Sequence, residues 1–218
     1  MSDQNPPDDL PEQMQVRREK RQRLVDSGAG AYPLHVPRTH TLAEIRATYD
    51  GRELAPDTRT GDIVSVAGRV IHARNTGKLC FARLREGDGT EHQVMISLAD
   101  VGEESLAEYK ALVDIGDLVS FTGEVVTSRR GELSVQATAW TMAAKALRPL
   151  PNEHSPLSDE ARVRLRYVDM IVNQDARDVV RVKAAVLRSL RATLEVQVYL
   201  EVEKPTLQVS NGGAAARP

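Results

Sequence analysis

Apolar residues change their spacing along this 218-residue chain, and the change divides it into predicted domains. Between residues 61 and 147 they alternate with polar residues in short runs, which is typical of strands. After residue 158 they recur at every third or fourth position, as on one face of a helix. We therefore predict a β domain over 61–147, a proline-rich hinge over 148–157 and the start of a second domain over 158–218.

The segment before the β domain is predicted to be partly helical. Residues 1–10 are polar and acidic with two prolines, so we expect a disordered tail. Residues 11–60 are predicted to hold an N-terminal helix and a connector. The helix runs from Pro11 to about Ser27 and ends at Gly28 and Gly30, and a short second helix covers 42–49.

Five strands are predicted in the β domain. The first begins at Asp62 and contains Gly68, where a bulge or a bend is expected. The other four are Leu79–Leu84, His92–Leu98, Leu118–Val126 and Leu133–Trp140, with a helix over Ser105–Val113 between the third and the fourth strand. This order predicts a mainly β fold with added helices, namely a five-stranded OB-fold barrel, a fold that commonly binds oligonucleotides.

The C-terminal part carries an amphipathic helix. Ser158 is predicted to cap a short helix, and a longer helix begins at Asp175, followed by a strand over Tyr199–Val202. One apolar stripe follows the long helix through Val179, Val182, Val186, Leu190 and Leu194. A helix and one strand cannot bury this stripe, so we expect this part to be poorly ordered or self-associating without further sequence or a second chain.

Composition excludes several classes of protein. No apolar run approaches the roughly 20 residues needed to cross a bilayer, and the N-terminus is not signal-like, so we expect a cytoplasmic protein without a membrane partner. A single cysteine excludes an internal disulfide, and the five histidines show no paired spacing, so no metal site is expected. The net charge of −2 does not predict a nucleic-acid partner, although basic residues cluster locally in 17–23 and 162–166.

Three residues of the barrel are candidates for binding an unpaired base. Phe81 could form a stacking platform while Arg74 and Gln93 read the base edge by hydrogen bonds. The alternative is that Phe81 belongs to the core, but its small neighbours Cys80 and Ala82 favour an outward position.

Other candidates leave two interpretations open. Lys78, with Arg83 and Arg85, either contacts phosphates or forms an ordinary solvated face. Gly212 and Gly213 either allow a ligand to approach the backbone or form a flexible tail. No spacing of residues supports a catalytic triad, a phosphate-binding loop or paired catalytic carboxylates.

Several short strings together resemble bacterial class II lysyl-tRNA synthetases, from about Val16 to the end of the chain. They are VAGRV at 66–70 with Arg74 and 77–81, GELSV at 131–135, LRPLP at 147–151 and GGAAARP at 212–218. The resemblance implies that the barrel binds the anticodon of lysine tRNA through Phe81, Arg74 and Gln93, with Lys78 nearby.

The same resemblance implies roles for the C-terminal part. Residues 175–208 resemble motif 1 of the family, which forms a homodimer interface that would include Val186, Leu190 and Pro205. Gly212 and Gly213 would lie beside bound lysine, and ATP and Mg²⁺ would serve the full-length enzyme. Motifs 2 and 3 have no counterpart in the sequence, so no catalytic residue is assigned and this chain is not expected to attach lysine to tRNA.

Two residues depart from the family pattern. Val198 stands where the family has a glycine that turns the helix into the strand, and Lys204 stands where it has a threonine. A β-branched residue at a position that favours positive φ would strain the turn. The leading hypothesis is therefore the N-terminal part of a lysine–tRNA ligase. The alternatives are a free-standing OB-fold protein that binds tRNA or single-stranded RNA, and a decayed gene product.

Overall fold

The computed structural model describes residues 11–28, 30–151 and 156–203. The predicted tail over 1–10, Lys204, Pro205, Gly212 and Gly213 lie outside the described residues. The chain divides into two compact units, Met1–Val163 and Arg164–Pro218. In chain order, the elements are α1 (Glu12–Asp26), α2 (Leu42–Tyr49), β1 (Arg59–Asn75), β2 (Leu79–Arg85), β3 (Glu91–Ser97), α3 (Leu98–Val101), α4 (Glu103–Leu112), β4 (Leu118–Thr127), β5 (Leu133–Ala144), α5 (Asp159–Arg164), α6 (Arg166–Val172) and α7 (Gln174–Val196).

The five strands form a closed barrel in the order β1-β2-β3-β5-β4. Only β3 and β5 pair in parallel; the other four pairs are antiparallel. Alternate residues point inward and form the hydrophobic core, which includes Val66, Val70, Leu84, Val94, Ile96, Phe121, Val125 and Val135. The predicted OB-fold is confirmed, and the opposite set of alternate residues is left on the outer surface.

The bulge predicted at Gly68 lies elsewhere. Gly68 pairs in regular register with Val119, and the β1–β2 register shifts between Val70 and His72 instead. A Cβ at Gly68 would lie 3.1 Å from the Cβ of Leu84, so the glycine allows β1 to pack closely against β2. No bulge therefore lies at Gly68 itself, because this glycine provides space rather than an extra residue.

A second glycine brings β4 and β5 together. A Cβ at Gly123 would lie 2.0 Å from the carbonyl oxygen of Gln136, a distance that real Cβ atoms do not adopt. The β4–β5 register shifts between Thr122 and Gly123. The barrel closes tightly here only because residue 123 has no side chain.

A buried ion cluster ties the end of β5 to the start of β4. The side chain of Lys145 is fully buried, and its Nζ lies 2.7 Å from Asp117 Oδ2 and 2.6 Å from Asp114 Oδ2. The same ammonium group donates to the carbonyl of Leu112 at 2.7 Å. Burial opposes ionisation of Asp114, but the hydrogen bonds and charges of Lys145 and Lys20 outweigh it and lower the pKa of that carboxyl group.

Helix α1 docks on this cluster through two of its basic residues. Lys20 Nζ donates to Asp114 Oδ1 at 2.6 Å, and the Arg17 guanidinium donates to the carbonyl of Ile115 at 2.8 Å. Leu24, on the same face of α1, is buried. The basic residues of α1 are therefore divided between a docking face and a solvent-exposed face.

Helix α2 covers a histidine that is enclosed in the barrel. The helix has a capping box formed by Thr41 and Glu44. Beneath it, His92 is 1% exposed, and neither ring nitrogen has a hydrogen-bond partner among the described residues. Burial, with a smaller contribution from the charge of Arg46, lowers the pKa of His92 to about 4. The ring is therefore neutral at pH 7.

The second unit consists of α6, α7 and the residues that follow them. Helix α7 begins at Gln174, one residue before the predicted start, and the Asn173 side chain accepts a hydrogen bond from the backbone N–H of Asp175. The apolar stripe is exposed, with exposures from 47% to 61% for Val179, Val182, Val186, Leu190 and Leu194. The strand predicted over 199–202 is absent from the described residues, and the second unit contains no described strand with which it could pair.

The end of α7 contains the strain expected from the sequence. Val198 has φ 68°, in the left-handed region. Its N–H donates to the carbonyl of Glu195, and the N–H of Tyr199 donates to the carbonyl of Leu194. These two bonds form a Schellman motif with valine at the position that glycine favours.

We predict that His92 makes folding sensitive to mild acid. The unfolded chain takes up a proton on this residue near pH 6.5 and the folded chain only near pH 4, so the unfolded state binds more protons between these values. Stability is therefore full above pH 6.5 and falls by up to about 3 kcal/mol as the pH approaches 4. Urea unfolding, followed by Trp140 fluorescence, measures this change.

His92→Leu should flatten this pH dependence, because an apolar side chain in the same place cannot be protonated. The control is His35→Gln at an exposed histidine, which should leave the dependence as in the native chain. An equally steep loss of stability in the His92→Leu variant would contradict the prediction.

We predict that Val198→Gly stabilises the end of α7 by about 1 kcal/mol, because glycine adopts φ 68° without the steric cost that valine incurs. Protection of the Tyr199 amide from hydrogen exchange should increase. Gln197→Gly is the matched control, since residue 197 has φ −85° and glycine there should weaken the helix end. Equal effects of the two substitutions would rule out relief of strain at residue 198.

Candidate nucleic-acid interface

A groove of about 1040 Å³ lies on the outer face of the barrel, and three of the four candidate RNA-binding residues line it. They are Arg74 on β1, Phe81 on β2 and Gln93 on β3. Lys78 is exposed just before β2 and is not among the lining residues. The structure therefore brings Arg74, Phe81 and Gln93 together and places Lys78 outside the groove.

Phe81 lies on the outer face, as alternation along β2 predicts. Its neighbours Cys80 and Ala82 are 0% and 1% exposed and point into the core. Phe81 itself is partly exposed and lines the groove. One ring face can therefore receive a flat ligand while the barrel supports the other side.

Strand register aligns the groove residues in two rows. In one row, Arg74 is opposite Phe81, Phe81 is opposite Met95, and Met95 is opposite Gln136. In the parallel row, His72, Arg83, Gln93 and Ser134 are successive partners. Directly opposite side chains on a sheet have Cβ atoms about 5 Å apart, so the first row lines the groove across four strands, whereas the second row ends in the buried Ser134.

The amide of Gln93 has a fixed orientation. Its Nε2 donates to Ser134 Oγ at 2.9 Å, and the Ser134 hydroxyl donates its only proton to the carbonyl of Glu132 at 3.0 Å. Ser134 Oγ must therefore accept from Gln93, which leaves the Gln93 carbonyl oxygen as a hydrogen-bond acceptor. Within the described parts of the chain, no group donates to that oxygen.

Ion pairs neutralise the arginines on the wall of the groove. Arg83 lies 2.9 Å from Glu132, and Arg85 lies 2.5 Å from Glu91. Sequence reasoning left open whether these two arginines contact phosphates, and the structure shows that both already have carboxylate partners. Their charge is therefore largely balanced inside the groove.

Three other arginines of the groove have no such partner. Across residues 11–28, 30–151 and 156–203, no carboxylate oxygen lies within 4.0 Å of Arg74, Arg129 or Arg130. Arg129 and Arg130 lie in the turn between β4 and β5 and line the groove. The sequence did not predict the place of this turn beside the groove, because the pairing of β5 with β3 is not encoded locally.

The described residues contain no sign of a metal centre or a membrane span. Among them, no group of three His, Cys, Asp or Glu side chains could hold a metal ion. None of the described helices combines the length and apolarity required to cross a membrane.

Two known protein families match different parts of the chain. Residues 64–143 match the family of OB-fold nucleic acid binding domains, described as a tRNA anticodon domain. Residues 158–218 match the class II tRNA synthetases for D, K and N.

Relatives in the curated proteins match the chain over nearly its whole length. A lysine–tRNA ligase of Mycolicibacterium gilvum is 57% identical over 218 residues, and lysine–tRNA ligase 1 of Mycobacterium tuberculosis strain H37Rv is also 57% identical over 218 residues. A lysine–tRNA ligase of Kineococcus radiotolerans is 55% identical over 211 residues, or 97% of this chain.

The chain spans less than half the length of these relatives. It covers 43% of the first two proteins and 42% of the third. The matches confirm the resemblance found in the sequence, both for the OB-fold barrel and for the class II region that follows it.

Proposed function

Because the chain corresponds to the amino-terminal part of lysine–tRNA ligases, we propose that its groove binds the anticodon of lysine tRNA. The observation that carries the proposal is the convergence of a cation, an aromatic ring and an oriented amide in one groove. In the full-length enzyme, this binding would select the tRNA that receives lysine in an ATP-dependent reaction.

Each of the three residues has a distinct role in the proposal. A base stacks on Phe81, the guanidinium of Arg74 donates to a carbonyl oxygen of the base, and Gln93 Oε1 accepts a ring N–H. Uracil offers this combination, since its N3–H lies between two carbonyl oxygens. Cytosine has an unprotonated N3, which would face the Gln93 oxygen acceptor to acceptor.

Phosphate contacts come from the unpaired cations at the edges of the groove. Arg129 and Arg130 lie at one edge and have no carboxylate within reach among the described residues. Lys78, which is exposed outside the lining, is proposed to contact the backbone of the RNA as it leaves the groove.

The C-terminal region is proposed to form a homodimer through the motif 1 helix. Val186 and Leu190 are 51% and 54% exposed on α7, and their stripe is too apolar to remain in water over five positions. A second copy of the helix would bury it. Pro205, outside the described residues, belongs to the same proposed interface.

The substrates of the full-length enzyme are part of the same proposal. Lysine would lie beside Gly212 and Gly213, and ATP with Mg²⁺ would activate it; both glycines are outside the described residues. The described residues bind RNA in this proposal and take no part in the chemistry of lysine activation. Residues 1–218 alone are proposed not to attach lysine, and a cytoplasmic location is proposed with the rest.

A free-standing RNA-binding protein is the second candidate. One observation favours it: the first unit has a hydrophobic core of its own, built from residues between Leu24 and Met142. The barrel could therefore act without a catalytic domain. Dimerisation through α7 would distinguish the two candidates, because only the ligase uses that helix.

We predict that Phe81→Ala weakens binding to a lysine tRNA anticodon stem-loop by about 1–3 kcal/mol, the usual contribution of one base–aromatic stack. Fluorescence anisotropy at low and moderate salt measures the affinity. Ile63→Ala, which removes an exposed apolar side chain of β1 outside the groove lining, is the control and should not change it. Equal affinity of the native and Phe81→Ala proteins would exclude stacking on Phe81.

We predict that Leu190→Asp shifts the chain from dimer to monomer, because it places a charge in the buried stripe of the proposed interface. Sedimentation velocity over a range of protein concentrations measures the shift. Arg188→Asp, on the opposite side of α7, introduces the same side chain and should leave the dimer intact. A native chain that remains monomeric at high concentration would contradict dimerisation through α7.

A further inference from the structure

Gln136 lies in the groove but has no role in the proposed binding of one base. It is on β5, directly opposite Met95 on β3, and it belongs to the row that begins with Arg74 and Phe81. Like them, it lines the groove. The row therefore continues for two strands beyond the stacking platform.

The hydrogen-bond partner of Gln136 determines the orientation of its amide. Its Nε2 donates to Asp100 Oδ2 at 2.5 Å. A carboxylate can only accept hydrogen bonds, so the amide nitrogen must face Asp100 and Oε1 must be the free end. Among the described residues, no group donates to this oxygen.

Asp100 is itself held in place. Its carboxylate also accepts from the Ser97 hydroxyl, and Arg59 lies 3.9 Å from its other oxygen. Both contacts hold the carboxylate in place beside the Gln136 amide. The acceptor of Gln136 is thus fixed by neighbours, just as that of Gln93 is fixed by Ser134.

The surface between Phe81 and Gln136 fits a second base. Strands lie about 4.8 Å apart, so these two residues are separated by roughly 10 Å, with Met95 between them. Met95 is 9% exposed and presents a polarisable thioether, a favourable contact for a flat ring. A neighbouring nucleotide of the same strand can span this separation.

We propose that Gln136 is a specificity-determining residue for a second unpaired base of the same RNA. This base lies over Met95, adjacent to the one on Phe81, and donates a ring N–H to Gln136 Oε1. Asp100 is a positioning residue, which acts by holding the amide. The inference rests on the proposed anticodon binding and extends it from one base to two.

The test uses a hairpin RNA with three consecutive uridines in its loop. N3-methyluridine, which lacks the ring N–H, replaces one loop uridine at a time, and 5-methyluridine at the same position is the matched control. At one position flanking the base on Phe81, N3-methylation should weaken binding roughly three- to tenfold, as expected for one hydrogen bond. In Gln136→Met, which keeps the length of the side chain but loses the acceptor, that methylation should have no further effect.

A second variant distinguishes recognition of the base by the Gln136 acceptor from simple packing of the Gln136 side chain. Asp100→Asn lets the Gln136 amide turn over, so it should reduce discrimination between uridine and N3-methyluridine at that position while unmodified RNA still binds. If the Gln136→Met protein bound the RNA as tightly as the native protein while Phe81→Ala bound it more weakly, this inference would be overturned and the first base site would remain. If Phe81→Ala has no effect, the proposed function itself fails.

Discussion

The fold of the first unit depends on the buried ion cluster of Lys145, Asp114 and Asp117. A buried ammonium group is stable only when its charge and all its protons are matched, and here two carboxylates and the Leu112 carbonyl supply three partners. These groups come from the end of α4, the start of β4 and the residue after β5. Loss of Lys145 would leave the fully buried carboxylate of Asp117 without its ammonium partner, so the cluster fixes how the strands and α1 meet.

Closure of the barrel determines where a ligand can bind. The missing side chains of Gly68 and Gly123 let strands approach closely between β1 and β2 and between β4 and β5. Mostly apolar residues fill the interior, so the candidate RNA-binding side chains occupy the outer set of alternate positions. Arg74, Phe81 and Gln93 share a groove because of this alternation and the register of three strands.

The structural features that the sequence predicted are those that depend on the local pattern of residues. All five strands and the helix over 42–49 follow from alternation and periodicity, and the strain at Val198 follows from placing a β-branched residue at a helix end that favours glycine. Contacts between distant residues were not predictable in this way. The parallel pairing of β3 with β5 brings Gln136 into the groove, and no local signal in the sequence records it. The wrong strand over 199–202 has the same origin, since strand formation requires a partner.

In the groove, attraction of the phosphate backbone and recognition of the bases depend on different residues. The arginines of its wall are matched by Glu91 and Glu132, so little net charge remains to attract phosphate there. The unmatched arginines lie at Arg74 and in the turn of Arg129 and Arg130. Long-range attraction would therefore guide any RNA to the groove, but it cannot distinguish one base from another. Discrimination must come from acceptors whose direction is fixed before binding, because a freely rotating amide would match a donor or an acceptor equally well.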